Sequence, residues 1–296
     1  MTDSCRNLLL EDAYGNIIPE PERTGIVIIG AGNVAWHLAP ALENAGHHIN
    51  EVYSRQLQSA RRLVSNLYDA EIHSELNFAG STSRLFVLAV PDDALESVCS
   101  QLVLPEEAIL VHTSGSCSLD RLQSWVAIYS DVPVRTGVFY PLQTFSREQP
   151  IMEFAGVPLC LEASDPDTED ELVTLGQGIS RIVYLVSSSE RLLLHLAAVL
   201  ACNFTNHLFS LARNLTVSNG LEFNLLTPLI QETVRKGLSV SDPAAVQTGP
   251  ARRDDQTTIQ AHLNLLSDQP LTADIYQLMT RSIQQQMLRR QKDLID

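Results

Sequence analysis

The run Gly25-Ile26-Val27-Ile28-Ile29 passes directly into Gly30-Ala31-Gly32-Asn33-Val34-Ala35, and few folds satisfy both halves. A short, branched apolar run reads as a buried parallel strand. Gly30 permits a tight turn out of that strand. Gly32 removes a side chain where a pyrophosphate must touch backbone. Ala35 is small enough for the following helix to pack on the sheet. Val34 to Ala45 reads as that helix, Gly46 as its stop signal, and a second strand follows. An anion would sit on the helix N-terminus, where N–H groups point outward. Gly30, Gly32, Asn33 and Val34 are thus expected to contact a dinucleotide.

The second strand decides which dinucleotide. It runs through Ile49-Asn50-Glu51-Val52-Tyr53 and ends at Ser54-Arg55. A free ribose 2′-OH is usually held by Asp or Glu at this strand end. Ser54 fills the slot, with Arg55 beside it. From Val52 to Tyr68 there is no acidic residue, yet Arg55, Arg61 and Arg62 are present in a chain of formal net charge −15. Arginine offers a planar donor fork that suits phosphate. A 2′-phosphate, and so NADP, is expected on Ser54 and Arg55. Glu51 precedes the apolar Val52-Tyr53 and lies too early for the ribose.

A chain of 296 residues has room for two domains. No apolar run approaches the roughly 20 residues of a bilayer span, and no basic segment leads an apolar one at the N-terminus; neither a membrane partner nor export is expected. The five cysteines are scattered, without a CxxC pair. That argues against a disulfide frame or a structural metal and for a reducing, cytoplasmic setting. The acidic balance argues against nucleic acid, whose binding neutralises phosphates.

The chain divides into a tail and two parts. Residues 1–23 are a polar extension. Residues 24–188 alternate strand and helix, with strands at Gly25–Ile29, Ile49–Tyr53, Leu85–Val90, Ala108–His112, Val134–Val138, Val157–Leu161 and Arg181–Val186, the last two joined by a helix over 167–179. This is the grammar of a doubly wound, Rossmann-like α/β sheet. Residues 189–296 read as helices only. Ser189 is the expected N-cap of a long apolar helix over 190–214, and that helix should be buried. Further helices follow at 223–238, 254–266 and 273–292, and Asp242-Pro243 reads as another helix start.

Ligands of open α/β sheets bind beyond the carboxyl ends of strands. Val90 and Pro91 end one strand and should pass over the coenzyme ribose. His112 ends another and leads into Thr113-Ser114-Gly115-Ser116. Thr113 is expected on the coenzyme, and Ser114 on the substrate. Gln143 interrupts the apolar run Tyr140–Phe145 and is a further substrate contact. On the long helix, His195, Val199, Cys202 and Asn206 share a face at i, i+4, i+7, i+11 spacing, with Asn203 close by. His195, or else His112, is the candidate proton donor, and Asn203 and Asn206 are candidates to orient a small-molecule substrate. Thr248-Gly249-Pro250-Ala251-Arg252-Arg253-Asp254-Asp255 is either an ordered loop or an exposed linker.

Gly30-x-Gly32-Asn33-Val34-Ala35-x-His37-Leu38, Val52-Tyr53-Ser54-Arg55, Ala89-Val90-Pro91-Asp92-Asp93, His112–Ser116, Tyr140–Phe145 and Thr248-Gly249-Pro250-Ala251-x-Arg253-Asp254 together resemble one family. It is that of predicted NADP oxidoreductases, with a Rossmann-like domain followed by a helical domain of unknown function. The arrangement is also similar to pyrroline-5-carboxylate reductase, ketopantoate reductase and the 6-phosphogluconate dehydrogenase group. The resemblance implies a helical-domain homodimer and a substrate cleft between domains. One departure stands out: the only lysines are Lys236 and Lys292, so the catalytic lysine of ketopantoate reductase has no counterpart on the 190–214 helix. His195 stands about where it would be sought, and histidine can donate a proton near neutral pH. The expected function is hydride transfer between NADP and a small carbonyl, imine or hydroxy acid. The alternative is a regulatory or sensor protein that holds NADP without turnover.

Overall fold

A computed structural model describes residues 24–293; the expected extension over 1–23 lies outside the described residues. These residues form two compact units, one reaching Cys202 and one beginning at Asn203.

The first unit is built on eight strands: β1 (Gly25–Ile29), β2 (His48–Tyr53), β3 (Glu71–His73), β4 (Leu85–Leu88), β5 (Ile109–His112), β6 (Arg135–Pro141), β7 (Leu159–Ala163) and β8 (Val183–Leu185). Their order is β3-β2-β1-β4-β5-β6-β7-β8. All neighbours are parallel except β6 and β7. Its helices are α1 (Asn33–Asn44), α2 (Leu57–Val64), α3 (Leu95–Cys99), α4 (Leu119–Tyr129), α5 (Pro166–Ile179) and α6 (Ser188–Ala198).

Side chains alternate across a strand, so β1 feeds two cores at once. Ile26 and Ile28 join Leu38 and Leu42 of α1, Leu63 of α2 and Leu172 of α5. Val27 and Ile29 join Leu95 of α3 and Leu122 and Trp125 of α4. All four β1 side chains are fully buried, each worth roughly 1.5–3 kcal/mol relative to exposure. Chain order reverses between β1 and β4, which opens a crevice at their carboxyl ends. Strand β3, only three residues long, carries too little pattern to be expected from sequence.

Helix α6 starts two residues earlier than expected from Ser189. Ser187 is the N-cap, and Glu190 completes a capping box. The helix continues through a π turn, Val199–Asn203, into α7 (Phe204–Ser218). Burial of this helix was the expectation, and it fails within the single chain. Arg191 is its one buried residue, while Leu193, Leu200 and Phe204 are 67%, 57% and 55% exposed. The continuous helix Ser188–Ser218 is long and apolar enough, by composition, to cross a bilayer. The sequence conceals this because polar residues such as His195, Asn203 and Asn206 keep any single apolar run in it short.

The second unit adds α8 (Thr227–Leu238), α9 (Pro250–Arg253), α10 (Gln256–Leu265) and α11 (Pro270–Asp293). Asp242-Pro243 opens only a short 3-10 turn, capped by Asp242 at Ala244 N–H. The segment 248–255 is ordered. Gly249 and Asp254 take positive φ, and the Asp254 carboxylate accepts from the amides of Gln256 at 2.6 Å and Gln284 at 2.7 Å.

Candidate active site

The glycine turn closes against the ends of two neighbouring strands. Gly30 donates its N–H to Tyr53 O at 2.7 Å. Its φ is +110°, and a Cβ there would stand 2.3 Å from Ala89 O. Only glycine fits. Gly32 is different: its φ is −83°, and the nearest atom to an added Cβ is Ala89 O at 3.8 Å. Nothing among the described residues requires glycine at 32, so the cradle is open. Gly32 is also the N-cap of α1, which has neither a side-chain cap nor an acidic residue in its first turn. These are the features of an anion site at a helix N-terminus.

Because Gly30 bonds Tyr53, Ser54 and exposed Arg55 follow immediately beside the turn. The Ser54 hydroxyl accepts from Gln56 N–H at 3.3 Å. Glu51 is engaged elsewhere, accepting from Ser81 Oγ at 2.5 Å. Val90 packs against the turn, its Cγ1 2.9 Å from the Cβ that Gly30 lacks, and exposed Pro91 follows.

At the end of β5 the loop is tightly wired. Thr113 donates through N–H and Oγ1 to Leu88 O, at 3.1 and 3.3 Å. Ser114 Oγ accepts from the N–H groups of Ser116 and Cys117, at 3.1 and 2.9 Å. Ser114 is thereby a buried turn-former. His112 is fully enclosed. Its Nδ1 accepts from Ser114 N–H at 3.1 Å. Burial, reinforced by the Arg191 charge, holds His112 down at about 4. It is neutral at pH 7, so its proton lies on Nε2.

His195 meets this loop. Its Nδ1 lies 3.0 Å from the Tyr140 hydroxyl at the end of β6. A Cβ on Gly115 would come within 2.6 Å of His195 Nδ1 and 2.9 Å of Tyr140 Cζ. Gly115 therefore has to lack a side chain for the pair to close. Burial raises the Tyr140 phenol to about 12, so it stays protonated. The helix is held in place one turn earlier. Arg191 forms an ion pair with Glu162 and donates to Cys117 O at 2.5 Å and Ser188 Oγ at 3.2 Å. Ser188 Oγ in turn donates to Glu162 at 2.7 Å.

The remaining expected residues are less engaged. Gln143 is exposed, and its amide oxygen accepts from Thr144 N–H at 2.8 Å. Asn203 and Asn206 belong to the second unit and are exposed. The spacing that aligns them with His195 assumes an unbroken α-helix, and the π turn at 199–203 interrupts it.

Residues 11–130 match the profile of a Rossmann-like domain. Residues 157–283 match that of a domain of unknown function, DUF2520. No curated protein matches the chain. A solved structure from Bacteroides fragilis, of a protein proposed to be an NADP oxidoreductase, is 39% identical with a TM-score of 0.81, covering 89% of this chain and 99% of its own. The chain belongs to this NADP oxidoreductase family. More distant structures share the fold. An imine reductase from Myxococcus stipitatus, solved with NADP+, is 15% identical with a TM-score of 0.62, over 88% of this chain and 93% of its own. A reductive aminase from Aspergillus terreus, solved with NADPH and ethyl levulinate, is 15% identical with a TM-score of 0.62, over 90% and 94%.

Within this family member, sequence reasoning missed Tyr140, Gly115 and Arg191 as parts of the site. One signal was available: Arg191 lies four residues before His195 on a helix, one turn along the same face. Tyr140 stands in the Tyr140–Phe145 motif, but nothing local marks its pairing with His195, 55 residues away.

Proposed function

We propose that this chain transfers hydride between NADP and a small carbonyl, imine or hydroxy acid. Family membership supports the coarser statement, an NADP oxidoreductase. The observation that carries the reading is the Gly32 cradle, where an added Cβ would meet nothing nearer than Ala89 O at 3.8 Å among the described residues, set on the uncapped N-terminus of α1 beside Ser54-Arg55.

Gly30, Gly32, Asn33 and Val34 would hold the pyrophosphate, with Ser54 and Arg55 on the 2′-phosphate. Val90, Pro91 and Thr113 would border the same crevice. The nicotinamide, when bound, supplies the hydride chemistry. The chain's part is to hold and move a proton. His195 is the donor in this proposal. Tyr140 orients its ring, and the phenol hydroxyl can donate to a neutral imidazole or accept from a protonated one. The pair therefore serves both sides of a proton transfer. Ser114 and enclosed, neutral His112 shape the loop beneath them, and Gln143 remains the candidate substrate contact from the β6 end.

Oxidation of NADPH, followed at 340 nm against cyclic imines, keto acids and keto acid–amine mixtures, tests this. Substrate-dependent oxidation is expected. Tight NADPH binding with no oxidation by any of them would favour the holding protein instead.

The apolar, uncovered helix 188–218 supports a homodimer through the helical part. A membrane span fits less well, because its first turns are docked on the sheet through Arg191 and His195. Sedimentation equilibrium is expected to give a dimer at micromolar protein; a concentration-independent monomer would exclude it. The described cysteines are all free thiols, in keeping with a reducing, cytoplasmic setting.

A further inference from the structure

Two motifs far apart in sequence meet at His37. This residue lies on α1, is 1% exposed and spends both ring nitrogens on one distant loop. Nε2 donates to Ser146 O at 2.9 Å, and Nδ1 accepts from Met152 N–H at 3.1 Å. Phe145 stacks on the ring at 5.3 Å and on Phe154 at 5.8 Å. A single buried histidine thus pins the β6–β7 loop to the helix that starts at the glycine turn.

Arg147 is what that loop delivers. It follows Ser146 directly, is exposed, and its Nη1 donates to Ala31 O at 3.3 Å. Ala31 is the middle residue of the glycine turn. The neighbouring carboxylate, Glu148, accepts from Ser146 Oγ, and Arg147 has no ion pair among the described residues. A guanidinium carries five donors, and one weak contact to a carbonyl leaves most of them for an anion. Its one side-chain hydrogen bond among the described residues is to the turn that carries the open cradle.

We propose that Arg147 is a pyrophosphate ligand, that it trades Ala31 O for phosphate oxygen when the dinucleotide binds, and that His37 is its positioning residue. This rests on the reading of the glycine turn as a coenzyme site. Arg55 serves the 2′-phosphate alone, whereas the pyrophosphate is common to NADPH and NADH. The two arginines therefore leave different signatures.

The test is calorimetric titration of the full chain and its Arg147→Met variant with NADPH and with NADH. Arg147→Met is expected to weaken both coenzymes by the same factor, roughly tenfold to a hundredfold for one charge-assisted contact. Arg147→Lys should recover part of that loss. Unchanged affinity for both coenzymes would overturn the proposal, and so would a loss confined to NADPH. Wild-type protein that binds neither coenzyme would overturn the underlying coenzyme reading along with it. His37→Asn should weaken both coenzymes in the wild-type background and change little in the Arg147→Met background. Additive losses would remove His37 from the positioning role.

Discussion

Replacing Gly32 with alanine is expected to cost coenzyme affinity while leaving the fold intact. The protein itself has room for the new methyl, 3.8 Å from its nearest neighbour at an ordinary φ. An alanine at this N-cap should cost about 1 kcal/mol or less, which moves the melting temperature by roughly 2–4 °C. A pyrophosphate seated on the same backbone has no such room. Forcing a methyl into a filled contact costs about 1–3 kcal/mol, so NADPH should bind roughly fivefold to a hundredfold more weakly. Gly30→Ala is the contrasting control. Its methyl would meet Ala89 O at 2.3 Å with φ at +110°, and strain of this kind alone costs about 1–3 kcal/mol. That variant should melt well below wild type with or without coenzyme. Thermal melts with and without NADPH separate the two. Full NADPH stabilisation of Gly32→Ala would mean that the cradle does not hold the dinucleotide.

The second large effect belongs to His195. Removing a general acid typically costs 10²–10⁴-fold in rate, so His195→Gln should lower turnover by about that factor with coenzyme affinity unchanged. Tyr140→Phe keeps the ring's packing but deletes the hydroxyl, and a smaller loss of about tenfold is expected from a single neutral hydrogen bond. The comparison is read on an identified substrate, in variants that still bind NADPH normally. Near-wild-type turnover of His195→Gln would reduce His195 to a packing residue against Gly115.

What sequence could and could not reveal follows from range. The strand, glycine turn and helix at 25–45 were legible because each is specified by its own residues: branched side chains for the strand, missing Cβ atoms for the turn. The position of Ser54-Arg55 beside the turn was legible because it follows the end of the second strand, where Tyr53 O accepts from Gly30 N–H. Strand β3 was not, since three residues show no period. The exposure of the 188–218 helix was not, because an apolar stripe says that something must cover it, not what does. The π turn has no signature of its own, and it undid the stripe that aligned Asn206 with His195. Tyr140–His195 and Arg191–Glu162 join residues 55 and 29 positions apart. Such contacts exist only after the sheet has assembled. His37 was visible as part of a motif, but its role waits on a loop more than 100 residues away.

The crevice beside Ser54-Arg55 is expected to take NADP in preference to NAD. Titrating NADP+ and NAD+ into wild-type protein and into Arg55→Ala addresses it directly. Tighter binding of NADP+ is expected. In Arg55→Ala, NADP+ should weaken by roughly tenfold to a hundredfold, the worth of one charge-assisted phosphate contact, while NAD+ stays where it was. Equal affinities in the wild-type protein, or equal losses of both coenzymes in the variant, would contradict the account.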